Sequence, residues 1–155
     1  MTVEVRTFVI TGEDSVPVEG CGLSFSRDDH VQGAIELHVN GVPILGRDEI
    51  DTIDALWSLL LTYLERFAAG KEEVFNFPER RWTLNLERVS GARVLVTFED
   101  GLDRRRTVAS EKSVVCGLAA GAVKFFGAVL SFAPIEEWSY RRDFNLAMKM
   151  RAQYS

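Results

Sequence analysis

SVVCGLAAGAVKFFGAVLSFAPI, Ser113 to Ile135, is the longest apolar run of the chain and carries one charge, Lys124. Whether it crosses a membrane or fills a core decides the fold. Its length would allow a crossing, since about 20 mostly apolar residues span a bilayer. Two features point inward instead. Lys124 lies near the middle, where a lysine costs roughly 2.5–3.5 kcal/mol on insertion scales. On a helical repeat the run also segregates. Ser113, Gly117, Ala120, Gly121, Lys124, Ala128 and Ser131 form a stripe of small or polar side chains. Val115, Leu118, Ala119, Ala122, Phe125, Phe126, Val129 and Leu130 gather on the other side. Lipid gives a helix little reason to segregate this way, whereas a core does. The expectation is a core helix with its large side on a sheet and no membrane partner. Gly117 and Gly121 then mark a close approach by a neighbouring helix or by backbone.

Upstream, RWTLNLERVSGARVLVTFEDG reads as a hairpin. Trp82, Leu84 and Leu86 share one face of its first strand, and Val94, Val96 and Phe98 share one face of its second. A Ser90–Gly91 turn would set these faces against each other's backs. A loop of Val89–Ser90–Gly91 pairs Leu86 with Val94, Leu84 with Val96 and Trp82 with Phe98, with Gly91 left-handed. Asp100–Gly101 turns into a third strand over 103–109, and Ser110 caps the long helix. A last helix opens at Pro134 or just after it and runs to about Ala152.

The first half has the same grammar. Val3 to Thr11 reads as a strand, Gly12 to Gly22 as a loop and Leu23–Ser24–Phe25 as a short strand. VQGAIELHV alternates, with Val31, Gly33, Ile35, Leu37 and Val39 facing one way. NGVPILG turns the chain. A helix from about Asp48 to Ala69 follows, its acidic first turns suited to the positive end of the helix dipole. FNFP, Phe75 to Pro78, is an extended connector. Each half therefore reads as β-β-β-α, although no residue-level repeat accompanies the likeness. The expected fold is α+β: a mainly antiparallel sheet of about six strands, with two long helices and a C-terminal helix on one face.

The 155 residues suit one domain, 1–155, with a single core. At 46% hydrophobic and 26% charged, the composition is that of a globular protein. A net charge of −5 disfavours nucleic acid, whose phosphates need cations to displace their counterions. The same charge steers a basic protein inward. Cys21 and Cys116 form no CxxC pair or disulfide framework, and MTVEVRTFVIT alternates like a strand and not like a signal peptide. A reducing, cytoplasmic location is the expectation.

Chemistry is sparse. His30 and His38 are separated by roughly 26 Å along an extended strand, too far to share a metal with Glu36. Cys21 sits in Gly-Cys-Gly near Glu19, Asp28 and Asp29, which oppose a thiolate, and Cys116 reads as core. No GxSxG, HExxH, P-loop or GxGxxG is present. Neither a cofactor nor an enzyme is expected. Arg104–Arg105–Arg106 follows Glu99, Asp100 and Asp103, which largely neutralise it; residues 104 and 106 face opposite to 105, as on a charge-guarded edge strand.

VNGVPILG leading into DALWSLLLTYLERFAAG, and then FNFPERRWTLNLERV, resembles the small bacterial immunity proteins that neutralise polymorphic toxins by binding them. The resemblance covers under half of the chain, names no toxin and carries over no functional residue. It implies a non-enzymatic protein-binding module. The expected contact surface is acidic, Asp28, Asp29, Glu36, Asp51 and Asp54, joined by Trp138, Tyr140 and Arg141 near the C-terminus, residue types that dominate interface hot spots. The alternatives are a homo-oligomer with the C-terminal helix at a symmetric interface, or a small-molecule binder with a pocket between sheet and helices.

Overall fold

The structure is a computed structural model that describes residues 2–22, 26–132 and 137–155. The expected strand at Leu23–Ser24–Phe25 and the helix start at Pro134 lie outside the described residues. The class is α+β, with antiparallel sheets and a C-terminal helix. The described strands number nine, and they form two sheets in place of one.

The first sheet comes from the first third of the chain. Strand β1 (Val3–Thr11) pairs with β2 (Asp14–Pro17) and with β3 (Gln32–Val39), and β3 also pairs with β4 (Val42–Leu45) and β5 (Asp51–Thr52). Part of the segment expected as a loop is therefore β2. Pro17 is tolerated there because an edge strand has one side without ladder partners. A 3-10 turn at Arg27–Asp29 leads into β3. Asn40 and Gly41 both have positive φ (51° and 79°), which makes the tight turn between β3 and β4.

Helix α1 spans Ile53–Ala68, shorter than the expected start at Asp48. Asp48, Glu49 and Asp51 precede it. Glu49 N donates to Gly46 O (3.2 Å), and Asp51–Thr52 pairs with Gln32–Gly33. Only Asp54 is an acid of the first turn.

The second sheet is β6 (Val74–Asn76), β7 (Thr83–Val89), β8 (Arg93–Glu99) and β9 (Arg104–Ser110), in that order. The FNFP connector contributes β6, where Phe75 lies opposite Leu84. Its phenylalanines join Trp82 and Phe98 edge to face, with Phe77–Trp82 centroids 5.5 Å apart and Trp82–Phe98 6.1 Å apart. The β7–β8 hairpin differs from the expected register. Leu86 pairs with Val96 and Leu84 with Phe98, and the loop is Ser90–Gly91–Ala92. A shift of two residues keeps every side chain on its own face, so the apolar pattern could not separate the two registers. The turn decides: Gly91 and Ala92 are both left-handed (φ 79° and 54°), Arg93 Nε donates to Ser90 O (2.9 Å), and Ala92 O accepts Glu111 N (3.0 Å).

Helix α2 (Glu111–Phe132) contains the apolar run. It starts where Ser110 Oγ accepts Ser113 N at 3.0 Å, as a helix cap does. By length and composition it could cross a membrane, but here it packs against β1, α1 and the C-terminal helix α3 (Glu137–Tyr154). The glycines explain its fit. A Cβ on Gly117 would lie 2.7 Å from Val3 Cγ1, and one on Gly121 would lie 2.5 Å from Val5 Cγ1. The close neighbour is thus the side-chain row of β1, and not a helix. Phe125 and Phe126 on the large side are fully buried, and Phe126 meets the Tyr140 ring of α3 at 6.2 Å. Lys124 is exposed, and Cys116 is half-buried and not in the core.

One apolar core takes in both sheets and all three helices. The sheets meet edge to edge at β4 and β9. Side chains make the join: Asn40 Nδ2 donates to Val108 O (2.9 Å), and Arg105 Nη1 donates to Ile44 O (3.3 Å) and pairs with Glu49. Arg105 lies on the inner face opposite Phe98, whereas Arg104 and Arg106 point outward opposite Glu99 and Thr97.

Candidate functional site

The end of the molecule where α1 begins and α3 begins is built around a buried polar cluster. Asp54 is 1% exposed. Its Oδ1 accepts Ala55 N (2.8 Å), and its Oδ2 accepts the Tyr140 hydroxyl (2.9 Å). Arg27, from the 3-10 turn, reaches in beside them. It donates to Asp143 Oδ2 (2.6 Å) and Ser139 Oγ (3.0 Å), and its guanidinium lies 4.4 Å from the Tyr140 ring centroid. Burial pushes the Asp54 carboxyl above the ordinary carboxylate range; the Tyr140 hydrogen bond and the Arg27 charge only partly oppose it. The cluster ties the 3-10 turn, α1 and α3 together, and it fixes the attitude of the residues just outside it.

Outside it lies an open groove of about 530 Å³, lined by Arg27, Asp28, Ala55, Ser58, Leu59, Trp138, Ser139 and Arg142. Trp138 is 74% exposed and Leu59 46%. Two large exposed apolar side chains lining one groove are the unusual feature, since exposed apolar residues are ordinarily scattered singly. Asp28 and Arg142 are both exposed, and among the described residues neither has an ion pair.

The structure divides the residues expected to bind a partner. Asp28 and Trp138 line the groove. Asp29 is exposed, and its Oδ2 accepts Ser26 N (2.8 Å), closing the 3-10 turn. Arg141 is exposed on α3. Glu36 lies on another strand, β3, 3.4 Å from Arg47. Three residues are corrected. Asp51, Asp54 and Tyr140 are buried and present no surface to a partner. Asp51 is occupied in accepting Thr52 N (2.7 Å) and Glu79 N (3.1 Å). An acid at a helix start can serve the dipole, the solvent or a neighbouring loop, and one sequence cannot separate these.

Leu59 and Arg142 were missed. The signal was present in Leu59–Leu60–Leu61, because three consecutive leucines wrap further than one helix face can bury.

A second concavity of about 500 Å³ covers the outer face of the four-stranded sheet, lined by Thr83, Asn85, Glu87, Thr97, Glu99, Arg104 and Arg106 among others. Its charges are mostly satisfied within it: Arg104 pairs with Glu99 (2.8 Å), and Asn85 Nδ2 donates to Glu87 (2.9 Å). That is the pattern of a solvated sheet face. His30 ends the 3-10 turn and His38 lies across from Glu4 on β3, so the two imidazoles do not converge.

Comparison with family models, curated proteins and solved structures found no match to this chain.

Proposed function

We propose that the protein acts by binding another protein through the groove between α1 and α3, with no chemistry of its own. The observation that carries this reading is the exposed pair Trp138 and Leu59 in one groove, flanked by the unspent charges of Asp28 and Arg142. Tryptophan and arginine are the side chains that contribute most at protein interfaces, and an aromatic anchor with a charged rim is the usual anatomy of such a patch. The buried cluster beneath supports it by holding Trp138 on a fixed helix, which lowers the entropy lost on docking. A toxin-neutralising role in the cytoplasm, implied by the resemblance and by two unpaired cysteines, is one form of this activity. In that form a basic partner would be drawn in by the net charge of −5.

The test is capture of partners by tagged protein from its native cells at low salt, with wild type and Trp138→Ala in parallel. A stoichiometric partner, untagged copies of this chain included, should be retained by the wild type and lost by the variant. The melting temperature of Trp138→Ala should match wild type, because the side chain is mostly in water. Equal recovery by both proteins would remove the groove from consideration.

A further inference from the structure

The groove carries both halves of a match. It has an apolar knob, Trp138, and an apolar seat, Leu59. Of the three charged side chains on its lining, Arg27 is paired with Asp143, while the anionic Asp28 and the cationic Arg142 are exposed and without an ion pair among the described residues. A surface selected only to meet a basic partner would be expected to carry acid alone. Here the two charges left without an ion pair are of opposite sign although the whole chain stands at −5.

We infer that the occupant of the groove is a second copy of this chain, docked about a two-fold axis. The inference rests on reading the groove as a docking surface, and names its partner. In an isologous interface each contact occurs twice, with residue i on j and j on i. Trp138 of each copy then covers Leu59 of the other, and Asp28 of each faces Arg142 of the other. Like-charged surfaces repel as two copies approach, and this arrangement removes that repulsion locally by setting opposite charges together. The half-buried Arg27–Asp143 pair at the edge of the groove holds α3 in place, so both copies present the same rigid face.

Sedimentation velocity over a range of protein concentrations tests it, at low and at high salt. Wild type should pass from monomer to dimer as concentration rises at both salt concentrations, since salt screens the repulsion between two −5 chains as well as the local pairs. Trp138→Ala should stay monomeric. Asp28→Arg and Arg142→Asp should each weaken the dimer by about tenfold, because symmetry breaks every pair twice. The double variant D28R/R142D should recover the wild-type dissociation constant to within about threefold, since it re-forms each pair with its signs exchanged. A wild type that remains monomeric at every concentration overturns the inference. So does a dimer indifferent to Trp138→Ala, or one that the double variant fails to restore. A monomer that still captures a different protein through Trp138 overturns the self-pairing while leaving the groove a docking surface.

Discussion

Three glycines in α2 give a prediction in which two opposing effects can be weighed. Replacing a helix-interior glycine by alanine ordinarily stabilises by about 0.5–1 kcal/mol, because the unfolded chain loses freedom and the helix gains propensity. Forcing a methyl group into a packed core costs about 1–3 kcal/mol. At Gly127 a Cβ would meet Phe144 Cε1 at 3.5 Å, an ordinary contact, so only the first effect operates. At Gly117 it would come within 2.7 Å of Val3 Cγ1 and 3.1 Å of Val3 Cβ, in a half-buried residue at the first position of β1, where the strand can give. At Gly121 it would lie 2.5 Å from Val5 Cγ1 and 3.1 Å from Trp57 Cη2. Trp57 cannot move easily: it is fully buried, and its Nε1 donates to Thr7 Oγ1 (3.0 Å). The expected order of stability is G127A above wild type, wild type above G117A, and G117A above G121A. G127A should gain about 0.5–1 kcal/mol, and G121A should lose about 1–2 kcal/mol net. In a chain of this size each kcal/mol moves the melting temperature by about 2–4 °C. Urea unfolding followed by far-ultraviolet circular dichroism reads all three. In a Val5→Ala background the cost of G121A should shrink, because the closest atom is gone. A G121A protein as stable as wild type would refute the packing of α2 on β1 described above.

Other predictions concern charges. Burial raises the Asp54 pKa in the folded state, so the native protein holds that proton more tightly than the unfolded chain does. Stability from this group is therefore greatest below the ordinary carboxylate range and is lost as pH rises through the folded pKa. Relative to wild type, Asp54→Asn should fare better at neutral pH than at pH about 4, and denaturant titrations at both pH values that show the reverse would refute this sign. Tyr140→Phe should cost about 1–3 kcal/mol in the same unfolding assay, since it leaves a buried carboxylate oxygen without its donor. Arg105→Met should cost a similar amount by breaking the Glu49 pair and the bond to Ile44 O, whereas Arg106→Met should stay within about 0.5 kcal/mol of wild type. Equal effects of the two arginine variants would contradict the inward and outward facing of β9.

Much of the fold was legible because period and punctuation agree there. The apolar run of α2 separates small from large side chains, and its glycines signalled a close approach before the neighbour was known. The β7–β8 hairpin was legible as to face and loop length but not register, because a two-residue slip changes no face and only the paired left-handed residues Gly91 and Ala92 settle it. Division into two sheets was not legible. It depends on β4 and β9 meeting through side chains and not through a ladder, and the alternation within a strand does not say which strand it pairs with. The groove was half legible. Trp138 and Asp28 stood out by type, while Asp51, Asp54 and Tyr140 belong to the interior because of partners distant in sequence, such as Tyr140 for Asp54.

The seam between β4 and β9 has a bearing on how the protein keeps to itself in a crowded solution. An open strand edge is a template on which other chains can add, and the first step towards aggregation. Here the outer strand β4 of one sheet is turned against the outer strand β9 of the other, and Asn40 and Arg105 cross the seam with side-chain bonds in place of a continuous ladder. Each edge shields the other, yet the sheets are not fused into one. At the far ends stand β2, which closes on Pro17, and the three-residue β6, both poor templates. A chain with two sheets would ordinarily offer several sites for runaway strand addition; with β4 turned against β9, the far ends of the described sheets are the four-residue β2 and the three-residue β6.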